Sequence, residues 1–320
     1  MAITATNTSN LDIVIAGYEK LAYFSLRPEL FFDSVCEVGT TDLTSPGVDV
    51  KFTIFNELAA ATSALGETTD VTPVTIDDSQ VTVTLAEYGN AVQTSAKLRA
   101  TAFMAVNPIV ANVLGFNAGI SIDSIARNAA QAGTNVRYSG ADGDRNDVDV
   151  DDLLTGNDVR RAVAELRSAN VATYNGSYKG IIHPDVSYDF RGATGGTNWS
   201  DPHVYSDPSG IYNGVIGNFQ GVQFMESPRA PLFANAGNGT NGTGTIDVYG
   251  TLIMGRQALA KAYSTGGGYS ANPAMVDVPV TDALRRFEGM GWKHLVGYSV
   301  FRQAALRRIE SASSIGANAS

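Results

Sequence analysis

Two runs of strictly alternating side chains, held apart by residues 55–80, constrain this chain more than any other feature. In the first, Val48, Val50, Phe52 and Ile54 point one way while Asp49, Lys51 and Thr53 point the other; in the second, Val81, Val83 and Leu85 oppose Thr82 and Thr84. A period of two puts alternate side chains on opposite faces of a strand, so the runs predict a half-buried antiparallel pair. An ordinary hairpin turn has about two to five residues, far fewer than this connection. Leu58, Leu65, Val71, Val74 and Ile76 make it neither a Gly-Ser linker nor a charge block. A compact domain carries such an excursion only where it has a function or meets something outside the fold. The expectation is an extended hairpin packed on another molecule.

The remaining pattern mixes helix and strand. Residues 11–26 look helical and stop at Arg27-Pro28, where proline removes a donor and pushes its predecessor out of helical space. Residues 91–106, Ala-rich and without a breaker, predict a second helix. Asn107 and Pro108 restart it as N-cap and first helical residue, and Gly133 stops it. Along this helix Asn117, Ser121, Ser124, Asn128 and Gln131 form a polar stripe, and Leu114, Ala118, Ile122, Ile125, Ala129 and Ala132 an apolar one. About two dozen residues at ~1.5 Å each make a spine roughly 36 Å long, with Gly115 and Gly119 open to close approach by another backbone. A turn region over 134–152 follows, and Thr155 with Asp158 forms a variant capping box for a helix that buries Val159, Ala162, Val163 and Leu166. Residues 178–182 predict a strand, His183-Pro184-Asp185 a helix running to Phe190, and 246–254 a buried strand turned by Gly255 into a short helix around Ala258. A second antiparallel pair closes the chain: Met275, Asp277 and Pro279 in one strand, 292–301 in the other, a loop over 282–291 between them, and a tail over 304–309.

Composition narrows the function. The chain has 320 residues and one cysteine, Cys36, which excludes a disulfide-stapled scaffold. Charged residues are 17% and glycines number 33, a mix that suits a surface largely covered by neighbours. A net charge of −10 argues against nucleic-acid binding as the main task. The first ten residues lack a basic region, so no secretion signal is expected, and the chain is read as soluble and made in the cytoplasm. Residues 102–120 approach a membrane span in apolarity, but Asn107, Pro108, Asn112 and Asn117 are costly in hydrocarbon, and a buried helix fits better.

No motif carries catalysis. Gly237, Gly239 and Gly242 satisfy GxGxxG, yet a strand follows where a dinucleotide site needs a helix N-terminus. Asp142, Asp144 and Asn146 match the start of a calcium loop, but Asp147 and Leu153 stand where Gly and Glu belong. His183, His203 and His294 show no metal spacing, and no nucleophile elbow or triad exists. No enzyme activity, cofactor or metal is expected.

Charge distribution says more. Residues 43–90 carry Asp49, Glu57, Glu67, Asp70, Asp77, Asp78 and Glu87 against Lys51 alone, a net of −6. Residues 285–308 carry Arg285, Arg286, Lys293, Arg302, Arg307 and Arg308 against Glu288 alone, a net of +5. Two solvated faces of a monomer would account for this; so would head-to-tail pairing between copies, the acidic hairpin of one lying over the basic strand pair of the next.

The order of parts resembles the tailed-bacteriophage major capsid protein, with the α+β fold named after phage Hong Kong 97 (HK97-like). The segments that carry the resemblance are Gly47–Phe52 with Val81–Gly89 for the extended loop, Ile181–Asp185 and Gly214–Phe224 for the central domain, and Gly291–His294 with Gly297–Val300 for the closing strand. The resemblance implies an N-terminal arm over 1–42, an extended hairpin (E-loop) over 43–90, a peripheral domain with the spine helix over 91–136 and 270–312, an axial domain over 137–269 and a tail over 313–320. It implies pentamers and hexamers closing into an icosahedral shell around double-stranded DNA in the virion, assembled in the host cytoplasm. The hairpin would reach across a neighbour, with Asp49, Lys51 and Phe52 at its base in the interface. A separate scaffolding protein, a portal and a decoration protein are the further partners. Covalent cross-linking from a loop lysine is not expected, because Lys51 lies at the hairpin's base.

One sequence in several shell environments needs rigid parts joined by bendable ones, and Gly266, Gly267, Gly268, Gly289 and Gly291 are the candidate hinges. Two rivals stand beside this reading: a nanocompartment shell of the same fold enclosing an enzyme, and a Gly-rich hydrolase or ligand-binding protein acting as a small oligomer.

Overall fold

A computed structural model describes residues 32–40, 49–55, 58–68, 70–102, 106–141, 143–192, 215–238, 245–265, 268–279 and 282–315. The expected helix over 11–26 lies outside them. Two sheets, a free-standing hairpin and a long helix organise the rest. The five-stranded sheet contains β1 (Glu37–Thr40), β4 (Ala86–Ser95), β11 (Leu259–Tyr263), β12 (Ala274–Val278) and β13 (Phe287–Val300). β13 is its backbone, pairing antiparallel with β4 along one edge and with β12 and β11 end to end along the other. The seven-stranded sheet runs β5 (Val136–Tyr138), β14 (Leu306–Ser311), β10 (Thr245–Met254), β6 (Tyr178–Ile182), β8 (Val222–Glu226) and β7 (Val215–Phe219), with β9 (Leu232–Asn238) beside the first half of β10. β2 (Asp49–Phe55) and β3 (Asp78–Thr84) pair, among the described residues, only with each other, in register from Asp49 opposite Thr84 to Phe55 opposite Asp78.

Helix α1 (Ala96–Thr101) is capped by Ser95, whose hydroxyl accepts from the Leu98 amide. The spine, α2 (Val106–Gln131), is 26 residues, about 39 Å long at ~1.5 Å per residue. It lays Leu114, Ala118 and Ile122 against Trp292 and Val296 of β13, and Asn117 Oδ1 accepts from the Trp292 indole at 3.0 Å. The buried stripe continues through Ala126 and Ala130, one position on from the Ile125 and Ala129 that periodicity predicts. Ile109–Gln131 is long and apolar enough to cross a membrane by length and composition, and 28% of its most apolar window is buried, so the expected buried helix is covered along one face only. Helix α3 (Gly156–Ser168) starts at the predicted capping box, both halves of which form, and buries the four predicted apolar residues. Helix α4 (Pro184–Gly192) follows β6 as the sequence implies.

Four expectations are corrected. Residues 91–95 are strand, not helix: β13 offers an open edge, and pairing of Val92 with Met290 and Thr94 with Glu288 outweighs alanine's helical preference. The hairpin therefore ends at Thr84, and 86–90 belong to the five-stranded sheet. No helix surrounds Ala258; a turn leads into β11, whose central residues are fully covered. Residues 287–291 are strand instead of loop. β11 joins the five-stranded sheet and β14 the seven-stranded one. β14 is no tail: Glu310, wholly buried, accepts from Arg145 at 2.6 and 2.7 Å and from Arg308 at 2.7 Å. Arg308 also donates to the Gly133 and Gln131 carbonyls, closing the C-terminal end of α2.

Candidate assembly interface

The hairpin is fixed at its root and exposed beyond it. Val50, Val83 and Leu85 pack on Ala260 and Ala262 of β11, and Phe52 meets Phe301 edge to face at 5.8 Å. Here β3 crosses β13 at Gly297, where an added Cβ would lie 2.3 Å from the Thr84 carbonyl oxygen. Any larger residue there would lift the root. Every described residue from 58 to 80 is exposed. Phe55, Leu58, Leu65, Val71, Val74 and Ile76 each show between 54% and 75% of their surface to solvent. Leaving about 1.5–3 kcal/mol of burial per such side chain unrealised is a poor arrangement for a monomer.

The acidic residues divide by this geometry. Glu67, Asp70, Asp77 and Asp78 lie on the exposed stretch, and Asp70 accepts from the Val71 amide at 2.8 Å. Lys51 is exposed on β2, whereas Asp49 accepts from Thr84 at 2.7 Å within the hairpin. Glu87 instead sits on β4 and accepts from the Tyr269 hydroxyl at 2.7 Å, while the Lys293 ammonium stands 4.4 Å from that ring's centre. Those three are already joined within one chain. Glu57 lies outside the described residues.

The basic set is smaller than its count. Arg307 pairs with Glu165 at 3.0 Å and Arg308 with Glu310 at 2.7 Å, so both are already engaged within the chain. Arg302 donates to the Ala169 carbonyl at 3.2 Å. Arg286 pairs with Asp282 at 3.1 Å across the turn before β13, and the contact holds the Asp282 carboxyl below its ordinary range. Arg285, exposed and left-handed at φ 50°, has no side-chain partner among the described residues. Beside it Leu284 is 75% exposed and, across the strand pair, Met275 is 46% exposed. The apolar side chains on both surfaces are what charge counting misses; apolar residues inside a long connection were the available signal.

The expected hinges fare unevenly. Gly289 and Gly291 are paired on both edges of β13, and added Cβ atoms would lie 2.6 Å from Val278 Cβ and 2.9 Å from the Asn90 carbonyl oxygen. They allow close strand packing. Gly268 takes φ +83°; Gly266 and Gly267 lie outside the described residues.

The other motifs resolve as structure. Gly237 is packed within β9 against Ile246 and the Val148 carbonyl, and Gly239 and Gly242 lie outside the described residues. Asp144 caps a short 3-10 turn by accepting from the Arg145 amide. His183 accepts from the Asp185 amide at 3.3 Å at the start of α4, and burial pushes its pKa down against the pull of Asp185. Among the described residues no His, Cys, Asp and Glu group is arranged to hold a metal.

A central strand crossed by a spine helix, a second sheet and a rooted hairpin with an exposed apolar reach are the parts that the resemblance to the HK97-like fold implied. The model of the phage capsid protein family matches residues 36–315. The chain belongs to that family, and it is a major capsid protein that forms the shell of a phage head. Solved shells agree in fold: the capsid of Ralstonia phage GP4 at 13% identity and TM-score 0.76, covering 93% of this chain and 95% of that one. The cyanophage Pam1 capsid is 14% identical at TM-score 0.71, covering 99% and 100%, and the cyanophage P-SCSP1u capsid 16% identical at 0.67, covering 97% and 96%. No curated protein matches the sequence.

Proposed function

We propose that copies of this chain assemble as pentamers and hexamers, each hairpin lying over the closing strand pair of the next copy. The observation that carries this is the exposed apolar row from Phe55 to Ile76 on a hairpin with a packed root. Its seat on the neighbour combines Leu284 and Met275 with Arg285 and Arg286, which complement Glu67, Asp70, Asp77 and Asp78. Each contact is modest, and closure of a shell multiplies them. The shell encloses double-stranded DNA in the virion, assembles in the host cytoplasm with a separate scaffold, and bears a portal and a decoration protein. Its work is geometric, with no catalytic step.

Charge reversal tests the pairing. Arg285→Glu with Arg286→Glu is expected to block assembly while circular dichroism stays that of the folded subunit. Adding Glu67→Lys and Asp70→Lys is expected to restore it. Normal shells from the first double variant would overturn the seat.

A further inference from the structure

A cavity of about 470 Å³ opens between α3, β5 and β14, and three guanidinium groups line it: Arg137, Arg161 and Arg307. One carboxylate, Glu165, lies among them, bridging Arg137 at 2.7 Å and Arg307 at 3.0 Å. The two arginines together hold its carboxyl below the ordinary range despite partial burial. The pocket thus keeps a positive excess in a chain whose net charge is −10. Two donors in it are unmatched. Arg137 Nε is buried without an acceptor among the described residues, and Arg161 is exposed at the rim with no ion pair there. The positive surface continues along α3, where the exposed positions 160, 161, 164, 167 and 168 carry three arginines and no acid. Arg160 donates to Asn157 at 2.9 Å and has no ion pair among the described residues.

We propose that this pocket and the arginine face of α3 bind backbone phosphates of the duplex DNA inside the shell. The inference rests on the proposal that the shell encloses DNA. Guanidinium forks match phosphate oxygens in pairs, and an arginine row two helical turns long suits a polymer of phosphates better than a single small anion. Phosphate contacts carry no sequence information, in keeping with a cargo of arbitrary sequence.

The test is fluorescence anisotropy of a labelled duplex with the full-length protein, held below its assembly threshold, at two salt concentrations. Four phosphate contacts, from Arg137, Arg160, Arg161 and Arg167, give a slope near −3.6 in log affinity against log salt, about 150-fold weaker binding between about 50 and about 200 mM. Arg161→Gln touches no ion pair and is expected to reduce that loss to about 40-fold; Arg137→Gln is expected to lower the slope similarly if circular dichroism shows it folded. Arg285→Gln, on the other surface, is expected to leave the slope unchanged. Absence of duplex binding, or an unchanged slope for Arg161→Gln, overturns the proposal. Loss of shell assembly by Arg161→Gln with duplex binding intact also overturns it, assigning the pocket to carboxylates of another copy. Failure of the shell reading shows separately, as wild-type protein that forms no shells in the electron microscope.

Discussion

Replacing Leu65, Val74 and Ile76 together by serine should raise the assembly threshold without loosening the subunit. These side chains are 75%, 74% and 64% exposed, so the folded monomer gains little from them. Full burial of such a side chain is worth about 1.5–3 kcal/mol, and covering the exposed fraction on a neighbour yields about 1–2 kcal/mol each. Ordering costs on association consume part of this; if about half survives, the three contribute about 1.5–3 kcal/mol per subunit contact. That corresponds to a threshold about 12- to 150-fold higher. Light scattering against concentration gives the threshold, and urea unfolding gives subunit stability, which should change by less than about 0.5 kcal/mol. A triple variant that assembles at the wild-type threshold would refute the reasoning that these residues are covered in the shell.

Three more outcomes follow from the packing. Glu310→Gln leaves the half-buried Arg145 and the buried Arg308 without their shared carboxylate and should cost about 3–5 kcal/mol, lowering the melting temperature by about 4–8 °C in calorimetry; a loss under about 1 kcal/mol would contradict the keystone role. Gly297→Val should lift the hairpin root from β13, seen as faster proteolysis within residues 58–77 than in wild type; unchanged cleavage would place the constraint elsewhere. His294 is buried, and burial together with the nearby Lys261 ammonium pushes its pKa down. The unfolded chain therefore binds its proton more readily, and stability falls as pH drops through and below about 6.5; His294→Leu should flatten that slope in urea titrations at several pH values.

What was legible in the sequence was local. The alternation of Val50, Phe52, Val81 and Val83 gave both hairpin strands, and Thr155 with Asp158 marked the start of α3 because a capping box lies within four residues. What was hidden depends on distant partners. Val92 and Thr94 look helical until β13, almost two hundred residues later, supplies an edge. Leu259–Tyr263 and Leu306–Ser311 exchange sheets for the same reason, and β5, three residues long, leaves no periodicity to read. The candidate interface was half visible: its acids were countable, but Glu87, Arg307 and Arg308 are each engaged by partners within the chain, and nothing local in the sequence marks which charges are.

The most direct test of the central claim is electron microscopy of the purified protein over a range of concentrations, alone and with its candidate scaffolding protein. Closed shells, tubes or rings of five and six subunits are the predicted result. Featureless small particles at every concentration, with the scaffold as well as without it, would contradict the account.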